Sequence, residues 1–595
     1  MAKKFIDVMD TTFRDGFQSV FGGRVLMKDF FPAVEAAKTA GINHFEFGGG
    51  ARFQSLYFYL REDAFEMMDE FRKIVGPDAN LQTLARGVNT VMLDTGSKEL
   101  IDLHAKMFKK HGTTTIRNFD ALNDVENLKY SGERIAHHGL KHEVVVTMMD
   151  LPPGCHGAHG VEFYEKTLRD ILDSGIPYDS ICFKDASGTS NPQKVFETIT
   201  MARKLVPENT HLRLHTHETA GVSVAAYMAA LEAGIDGIDM AAAPVSGGTS
   251  QPDILTMLHA TKGMNYDLGG LEIGKILTYE KELQFCLSDY FMPPEATMVS
   301  PVIPFSPMPG GALTANTQMM RDNGILDKFP EVIAAMTEVV EKGGYGTSVT
   351  PVSQFYFQQA LNNVMQGPWK AIAPGYGKMV LGYFGKTPVA PDPEVVRIAS
   401  EKLGLEPTTE NAIDIADADP AKSLQHAIDE LKKVDLEITE ENIFIAAACQ
   451  EKGIAFLQGK GELNVRKISE MKNDCEGSSM GNGSYTVVVD GQKFSVQVAE
   501  GDVDIQVTAA NGESAAPAVP KTSGNDVEIK ALLPGNVWKL VANPGQSVNE
   551  GDVIMILESM KMEIDVVAPR GGVIKSINVA TNDKVVEGQL VAVLG

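Results

Sequence analysis

Glu558-Ser559-Met560-Lys561-Met562-Glu563, near the C-terminus, is flanked on both sides by matching passages, and that match decides how the region folds. Pro534-Gly535-Asn536-Val537 and Pro544-Gly545-Gln546-Ser547-Val548-Asn549-Glu550-Gly551-Asp552 precede it. Pro569-Arg570-Gly571-Gly572-Val573 and Thr581-Asn582-Asp583-Lys584-Val585-Val586-Glu587-Gly588-Gln589 follow it. Each copy is a set of short alternating apolar runs broken by Gly, Pro and Asn-Asp turns, which predicts two matching β-hairpin halves of one small sandwich over 527–595. Lys561 falls at the tip joining the halves. A lysine at a tight turn protrudes into water, where another enzyme can reach it; taken alone, it is an ordinary solvated lysine.

Glu-Ser-Met-Lys-Met inside such a duplicated region resembles the biotin-carrier domain family. Lipoyl domains share the sandwich, but the resemblance puts Met on both sides of the lysine in biotinyl domains, and Met560 and Met562 match. The resemblance implies biotin covalently attached to Lys561 by a biotin-protein ligase. A tethered biotin in turn implies a carboxyltransferase, for which the preceding 500 or so residues are the place to look.

The chain has 595 residues, 44% of them hydrophobic, enough for several globular domains, because single cores stop growing at roughly 250–300 residues. The net charge of −25, with no block of Lys or Arg, argues against nucleic acid or an anionic membrane as partner. Five cysteines without a CxxC pair predict reduced thiols in a cytoplasm. The N-terminus carries no signal-peptide apolar region, and no apolar stretch reaches the roughly 18 residues a membrane span needs. Any membrane role, such as a peripheral place at the inner membrane, would come through partners.

Up to about residue 290, apolar runs alternate with helical patterns: Phe5–Thr12, Ile42–Gly48, Leu81–Gly87, Thr114–Ala121, Glu143–Asp150, Ser180–Gly188, Leu212–Glu218 and Ile235–Ala243. Strands alternating with helices in this number predict an α/β fold, a (β/α)8 TIM barrel over 1–290. Polar residues gather at the C-terminal ends of the runs, where barrel enzymes place their chemistry: Arg14 and Asp15, Glu46, Arg86, Arg117 and Asp120, Asp150, Lys184 and Asp185, His215 and His217, Asp239. Residues 291–470 predict a helical domain folded over the barrel mouth, with helices at Phe329–Glu341, Gln354–Met365 and Pro393–Leu403. Its last part, Pro420–Val434 and Glu440–Lys452, is rich in Glu and Lys and predicts solvated helices. Within 471–508, alternation around Asp490-Gly491 predicts a β-hairpin over 484–498. The Ala-, Pro-, Ser- and Gly-rich stretch 509–526 predicts a flexible linker to the carrier domain.

His215-Thr216-His217 puts two imidazoles on one face of a strand, and Asp15 ends another. One acid and two histidines form a common open divalent site suited to Zn²⁺, Mn²⁺ or Co²⁺, although an HxH pair by itself is as readily a buried hydrogen-bonded pair.

In order along the chain, Asp10-Thr11-Thr12-Phe13-Arg14-Asp15-Gly16-Phe17-Gln18, Leu84-Ala85-Arg86-Gly87-Val88-Asn89, Cys182-Phe183-Lys184-Asp185, His215-Thr216-His217-Glu218-Thr219-Ala220-Gly221 and Val349-Thr350-Pro351-Val352-Ser353-Gln354 resemble motifs of the biotin-dependent carboxyltransferase family. That family joins pyruvate carboxylase and the oxaloacetate decarboxylase α subunit. The resemblance implies that Asp15, His215, His217 and a carbamylated Lys184 bind one divalent metal ion. It also implies that Arg14, Gln18 and Arg86 meet the substrate, Arg86 through a bidentate fork to its carboxylate, and that Thr350 shuttles the proton. Carboxyl transfer between biotin and pyruvate or oxaloacetate would follow, the positive site polarising the ketone as the enolate forms.

A separate ATP-dependent biotin carboxylase subunit is the implied partner. In a sodium-pumping oxaloacetate decarboxylase, membrane decarboxylase subunits would take its place; carboxylation of another 2-oxo acid such as 2-oxoglutarate is a further alternative. The family implies a homo-oligomer. Two positions depart from its pattern: Gln54 where Asp is usual and Leu93 where Tyr is usual, both near the family's biotin pocket. Isopropylmalate synthase and related barrels also carry R-D-G-x-Q and an HxH strand, but they lack the lysine and the carrier; an inert biotinylated scaffold is the non-enzymatic alternative.

Overall fold

Parallel strands need long crossovers, and the eight apolar runs with helices between them supply these. The computed structural model has the eight strands: β1 Lys4–Asp10, β2 His44–Gly49, β3 Asn80–Ala85, β4 Thr115–Asn118, β5 Lys141–Thr147, β6 Ser180–Asp185, β7 His211–Thr216 and β8 Gly237–Met240. The structure describes residues 3–470, 483–489, 492–498, 527–531, 535–559, 562–581, 583–586 and 588–595. Each strand pairs in parallel with the next, and β8 returns to β1 with Asp7 opposite Gly237 and Asp10 opposite Met240. The barrel is closed. A short strand, β9 (Tyr266–Leu268), adds to the start of β1.

One helix follows each barrel strand: α1 Met27–Thr39, α2 Ala64–Val75, α3 Lys98–Lys110, α4 Glu126–His137, α5 Val161–Asp173, α6 Pro192–Leu205, α7 Ser223–Glu232 and α8 Ile254–Ala260. Their starts are written locally. The Asp63, Ser97, Asn191 and Asp253 side chains each accept a backbone N–H of the first turn, and Pro192 follows its cap. The N-terminal part of the barrel interior is charged. Arg117 donates to Glu143 (2.5 Å) and to Asp239 (2.5 Å); Arg213 donates to Asp239 (2.9 Å) and Asp7. A buried lattice of this kind holds together only while every member keeps its partners, so it fixes the strands on which His215 and Lys184 ride.

Beyond the barrel come α9 Ile273–Cys286, α10 Gly310–Asp322, α11 Phe329–Lys342, α12 Val352–Gln366, α13 Pro374–Val380, α14 Pro393–Leu403, α15 Ala412–Ala418, α16 Leu424–Lys433 and α17 Glu440–Leu457. The chain forms two compact units, one of Met1–Gln318 and Leu326–Lys467, the other of Met319–Ile325 and Ile468–Gly595.

The expectation of solvated helices over 420–452 is overturned at α17. Phe444, Ile445, Ala448 and Cys449 are buried in the same core as the barrel, and the Phe444 ring meets Phe53, Phe65, His104 and Phe108. The acids that suggested solvation, Glu440 and Glu441, pair instead with Lys106 and Lys110 of α3. Ala427 and Leu431 of α16 are buried as well.

In the second unit, β10 (Gly483–Val489) and β11 (Gln492–Val498) form the expected hairpin, with Gly483 opposite Val498 and Val489 opposite Gln492. The C-terminal sandwich has two four-stranded sheets. One joins β12 Val527–Lys530, β14 Ser547–Val548, β17 Gly572–Ile577 and β19 Leu590–Leu594; the other joins β13 Gly535–Leu540, β15 Val553–Ser559, β16 Met562–Val567 and β18 Lys584–Val585. Val537, Ile554, Leu557, Ile574, Val591 and Leu594 are among its buried residues. Strands β15 and β16 pair with Ser559 opposite Met562. Lys561 and the linker 509–526 lie outside the described residues.

Candidate active site

Strand β1 does not run directly into an α-helix. Thr12–Gly16 form one π-helical turn, every residue of it buried, and this wider turn carries Arg14 and Asp15 at the barrel mouth. Such turns recur at functional sites because they redirect side chains without breaking the chain. Strand β7 supplies His215, and His217 stands just past its end.

The Asp15 Oδ2, His215 Nε2 and His217 Nε2 atoms converge. His215 Nε2 lies 3.2 Å and His217 Nε2 3.3 Å from the carboxylate oxygen, and the two imidazole nitrogens are 3.1 Å apart. The far sides of the rings explain what these atoms can do. His217 Nδ1 lies 2.7 Å from the Thr249 carbonyl oxygen, which can only accept, so that nitrogen carries the proton and Nε2 offers a lone pair. His215 Nδ1 lies 2.8 Å from Asp239 Oδ2. Burial, reinforced by the nearby Lys184, pushes the His215 pKa down, so the ring is neutral and its single proton sits toward Asp239. Three lone-pair donors therefore face one another, a set that fits a divalent cation, with orienting partners behind both rings. Burial raises the Asp15 carboxyl, but Arg14, His217 and Lys184 outweigh it and hold the pKa well below the ordinary range.

Lys184 Nζ stands 3.8 Å from Asp15 Oδ2. Burial, with Arg14 and Arg117 adding to it against the pull of Asp15, lowers its pKa and favours the neutral amine, the form that reacts with CO₂.

Arg14, Asp15, Gln18, Arg86, Lys184, His217 and Thr350 line one cleft, closed on its other sides by Leu84, Phe119, Ala186, Pro309, Gly311, Ala312 and Val349. Residues from the barrel and from the helical segment after it thus meet at one place. His215 has no exposure and joins the group through Asp15 and His217. The two arginines differ. Arg14 is already paired, 2.6 Å from Glu46 and 3.2 Å from Asp15. Arg86 is 2% exposed, donates only to the Val91 and Met92 carbonyl oxygens, and has no carboxylate partner among the described residues. Burial, with Arg14 nearby, lowers its pKa to about 9. The Thr350 hydroxyl has no hydrogen-bond partner among the described residues, which leaves it free to pass a proton.

Two contributions to the site carry no pattern in the sequence. Gln251 comes from a loop: its Nε2 donates to Asp15 Oδ2 (3.1 Å) and His217 Nε2 (3.0 Å), while its Oε1 accepts from Thr11. Asp239 reads in sequence only as one more acid at a strand end; its contacts with Arg117, Arg213 and His215 require the barrel to be closed. The two departures from the family pattern do not line the cleft. Gln54 donates to the Ala448 carbonyl of α17 (2.8 Å), and Leu93 is 44% exposed.

The comparisons with known proteins agree with this geometry. Residues 303–501 match the conserved carboxylase domain, 528–594 the biotin-requiring enzyme domain, and 165–264 the HMGL-like domain. The chain belongs to the biotin-dependent carboxyltransferase family. Over 94% of its length it is 30% identical to a pyruvate carboxylase subunit of Methanothermobacter thermautotrophicus, covering 94% of that chain. It is also 30% identical, over 69% of its length and 79% of the relative's, to the methylmalonyl-CoA carboxyltransferase 5S subunit of Propionibacterium freudenreichii. The carboxyl transferase domain of Rhizobium etli pyruvate carboxylase shares the fold, with a TM-score of 0.69 and 24% identity over 77% of each chain.

Proposed function

We propose that this chain is the carboxyltransferase and biotin-carrier subunit of a two-subunit pyruvate carboxylase, moving a carboxyl group between biotin on Lys561 and pyruvate. The observation that carries the substrate assignment is Arg86. A guanidinium removed from water without a counter-charge is costly, and a small 2-oxo acid entering the cleft would supply the missing carboxylate. The apolar walls leave room for a methyl group. A second carboxylate, as in 2-oxoglutarate, would need another unpaired guanidinium, and Arg14 is already held by Glu46 and Asp15.

Asp15, His215, His217 and a carbamylated Lys184 would hold the divalent ion, and it would supply positive charge beside the ketone oxygen while biotin supplies the carboxyl group. The chain's own part is positional. Arg86 grips the carboxylate, Gln18 and Arg14 border the ketone, and the buried apolar walls keep water from the enolate. The Thr350 hydroxyl takes the methyl proton and passes it on. Reversed, the same groups decarboxylate oxaloacetate.

The chain aligns to 53% of the single-chain pyruvate carboxylase of Staphylococcus aureus, along 99% of its own length. ATP-dependent carboxylation of biotin is accordingly assigned to a separate partner subunit, and the complex to the cytoplasm. Among the described residues no helix is long and apolar enough to cross a membrane. The test is purification of the native complex with mass analysis of Lys561. Biotin on Lys561, a biotin carboxylase companion and ATP-dependent oxaloacetate formation are expected; an unmodified lysine would overturn the assignment, and an integral membrane companion would redirect it to decarboxylation.

A further inference from the structure

The loop that orients Arg86 is strained. Thr90 has φ 52° and ψ −108°, a conformation unfavourable for a β-branched residue, and it is 1% exposed. The strained residue sits inside a tight hydrogen-bonded knot. Arg86 N–H donates to the Thr90 carbonyl (2.9 Å), Met92 N–H to Asn89 (2.8 Å) and Gly96 N–H to Val88 (2.7 Å). The next two carbonyls, Val91 and Met92, receive the Arg86 side chain at 2.8 and 3.0 Å. The backbone twist at Thr90 and the aim of the guanidinium are therefore one arrangement. Strain of this kind persists only where surrounding contacts over-determine the backbone.

Those contacts come from a distant part of the chain. On the inner side, Val88 packs with Ile101 of α3 and with Ala412 and Ile413 of α15. On the outer side, Lys422, in the 3₁₀ turn Pro420–Lys422, donates to Thr95 Oγ1 (2.7 Å) and pairs with Asp94 (3.0 Å). Lys98, just after the loop, pairs with Asp414 (2.8 Å), and its backbone N–H donates to Asp417 (3.1 Å). Apart from Ala412 and Ile413, whose own burial accounts for them, these contacts do not build the barrel core.

We propose that α15 and the turn Pro420–Lys422 form a clamp that holds the loop Arg86–Gly96 in its strained form, and that Lys422 is a positioning residue for substrate binding. This rests on the assignment of Arg86 to the substrate carboxylate. Lys422 touches neither the cleft nor any reacting atom, so its loss would weaken carboxylate binding and leave chemistry on bound substrate intact.

The test is steady-state oxaloacetate decarboxylation by the full, biotinylated chain. Lys422→Met is expected to raise KM about fivefold with kcat and metal content unchanged, in keeping with one half-exposed pair and one hydrogen bond. Lys422→Arg should restore most of the affinity. Thr90→Gly relieves the strain, so alone it should leave KM near the parent value and, combined with Lys422→Met, should return KM toward it. An unchanged KM in Lys422→Met, a fall in kcat instead, or no rescue by Thr90→Gly would overturn the clamp. Arg86→Met separates the two assignments: if it raises KM while Lys422→Met does not, the anchor stands and the clamp falls; if Arg86→Met leaves KM unchanged, the anchor itself fails.

Discussion

Two buried arginines border the same cleft, and their partners assign them different work. Arg14 is neutralised by Glu46 and Asp15, whereas Arg86 holds only backbone carbonyls. A charge-assisted hydrogen bond contributes about 1.5–3 kcal/mol, so Arg86→Met should weaken 2-oxo acid binding by about 10- to 150-fold, read as KM. Arg86→Lys should recover only part of that loss, because an ammonium lacks the planar fork. Asp239 makes a different kind of prediction. It takes the His215 Nδ1 proton, and Arg117 and Arg213 clamp it. Asp239→Asn would let the imidazole turn its proton toward Asp15, and divalent-ion affinity should fall about 10- to 100-fold. Competition against a chelator measures that directly; an unchanged affinity would mean that Asp239 serves only the charged interior of the barrel.

At the scale of elements, α17 is the helix whose role changes most once the chain is folded. Its charged first turn ties it to α3, and its opposite face carries Phe444 among Phe53, Phe65 and Phe108. Phe444→Ala removes a fully buried ring from that contact and should cost about 3–5 kcal/mol, lowering the melting transition of the barrel unit. A solvated helix would give a change within about 0.5 kcal/mol. The contrast also marks what is legible in sequence. The eight barrel strands are, because each is a dense apolar run between turn signals, and so is the cluster of polar residues at their C-terminal ends. The burial of α17 is not, because its Glu and Lys hide an apolar stripe whose partner surface exists only after α2 and α3 have packed. Gln251 is not legible for a related reason: a loop residue acquires neighbours from β1 and β7 only through barrel closure.

For the molecule as a whole, pH sets two groups of buried residues against each other. Burial drives the pKa of His104 down to about 3, and those of His142 and His159 to about 4, from an ordinary 6.5. Each neutral histidine contributes stability that is present above pH 6.5 and is lost as pH falls toward its folded value. Burial acts oppositely on acids, raising Asp10 to about 6, Asp120 to about 7 and Glu280 to about 8. These favour the folded state below the ordinary carboxyl range, and their contribution is lost as pH rises through the folded values. Between about pH 4.5 and 6.5 the two sets oppose and the melting temperature should change little. Above 6.5 only the acids titrate, so it should fall steadily toward pH 8. Asp120 is the cleanest probe, since after burial the nearby Asp124 is the next cause of its shift. Asp120→Asn cannot ionise, and calorimetry from pH 6.5 to 8 should show a shallower decline than in the parent. An identical slope would mean that Asp120 is ionised in the folded protein, held by the Leu122 and Asp124 backbone N–H groups and the Asn127 amide that donate to it.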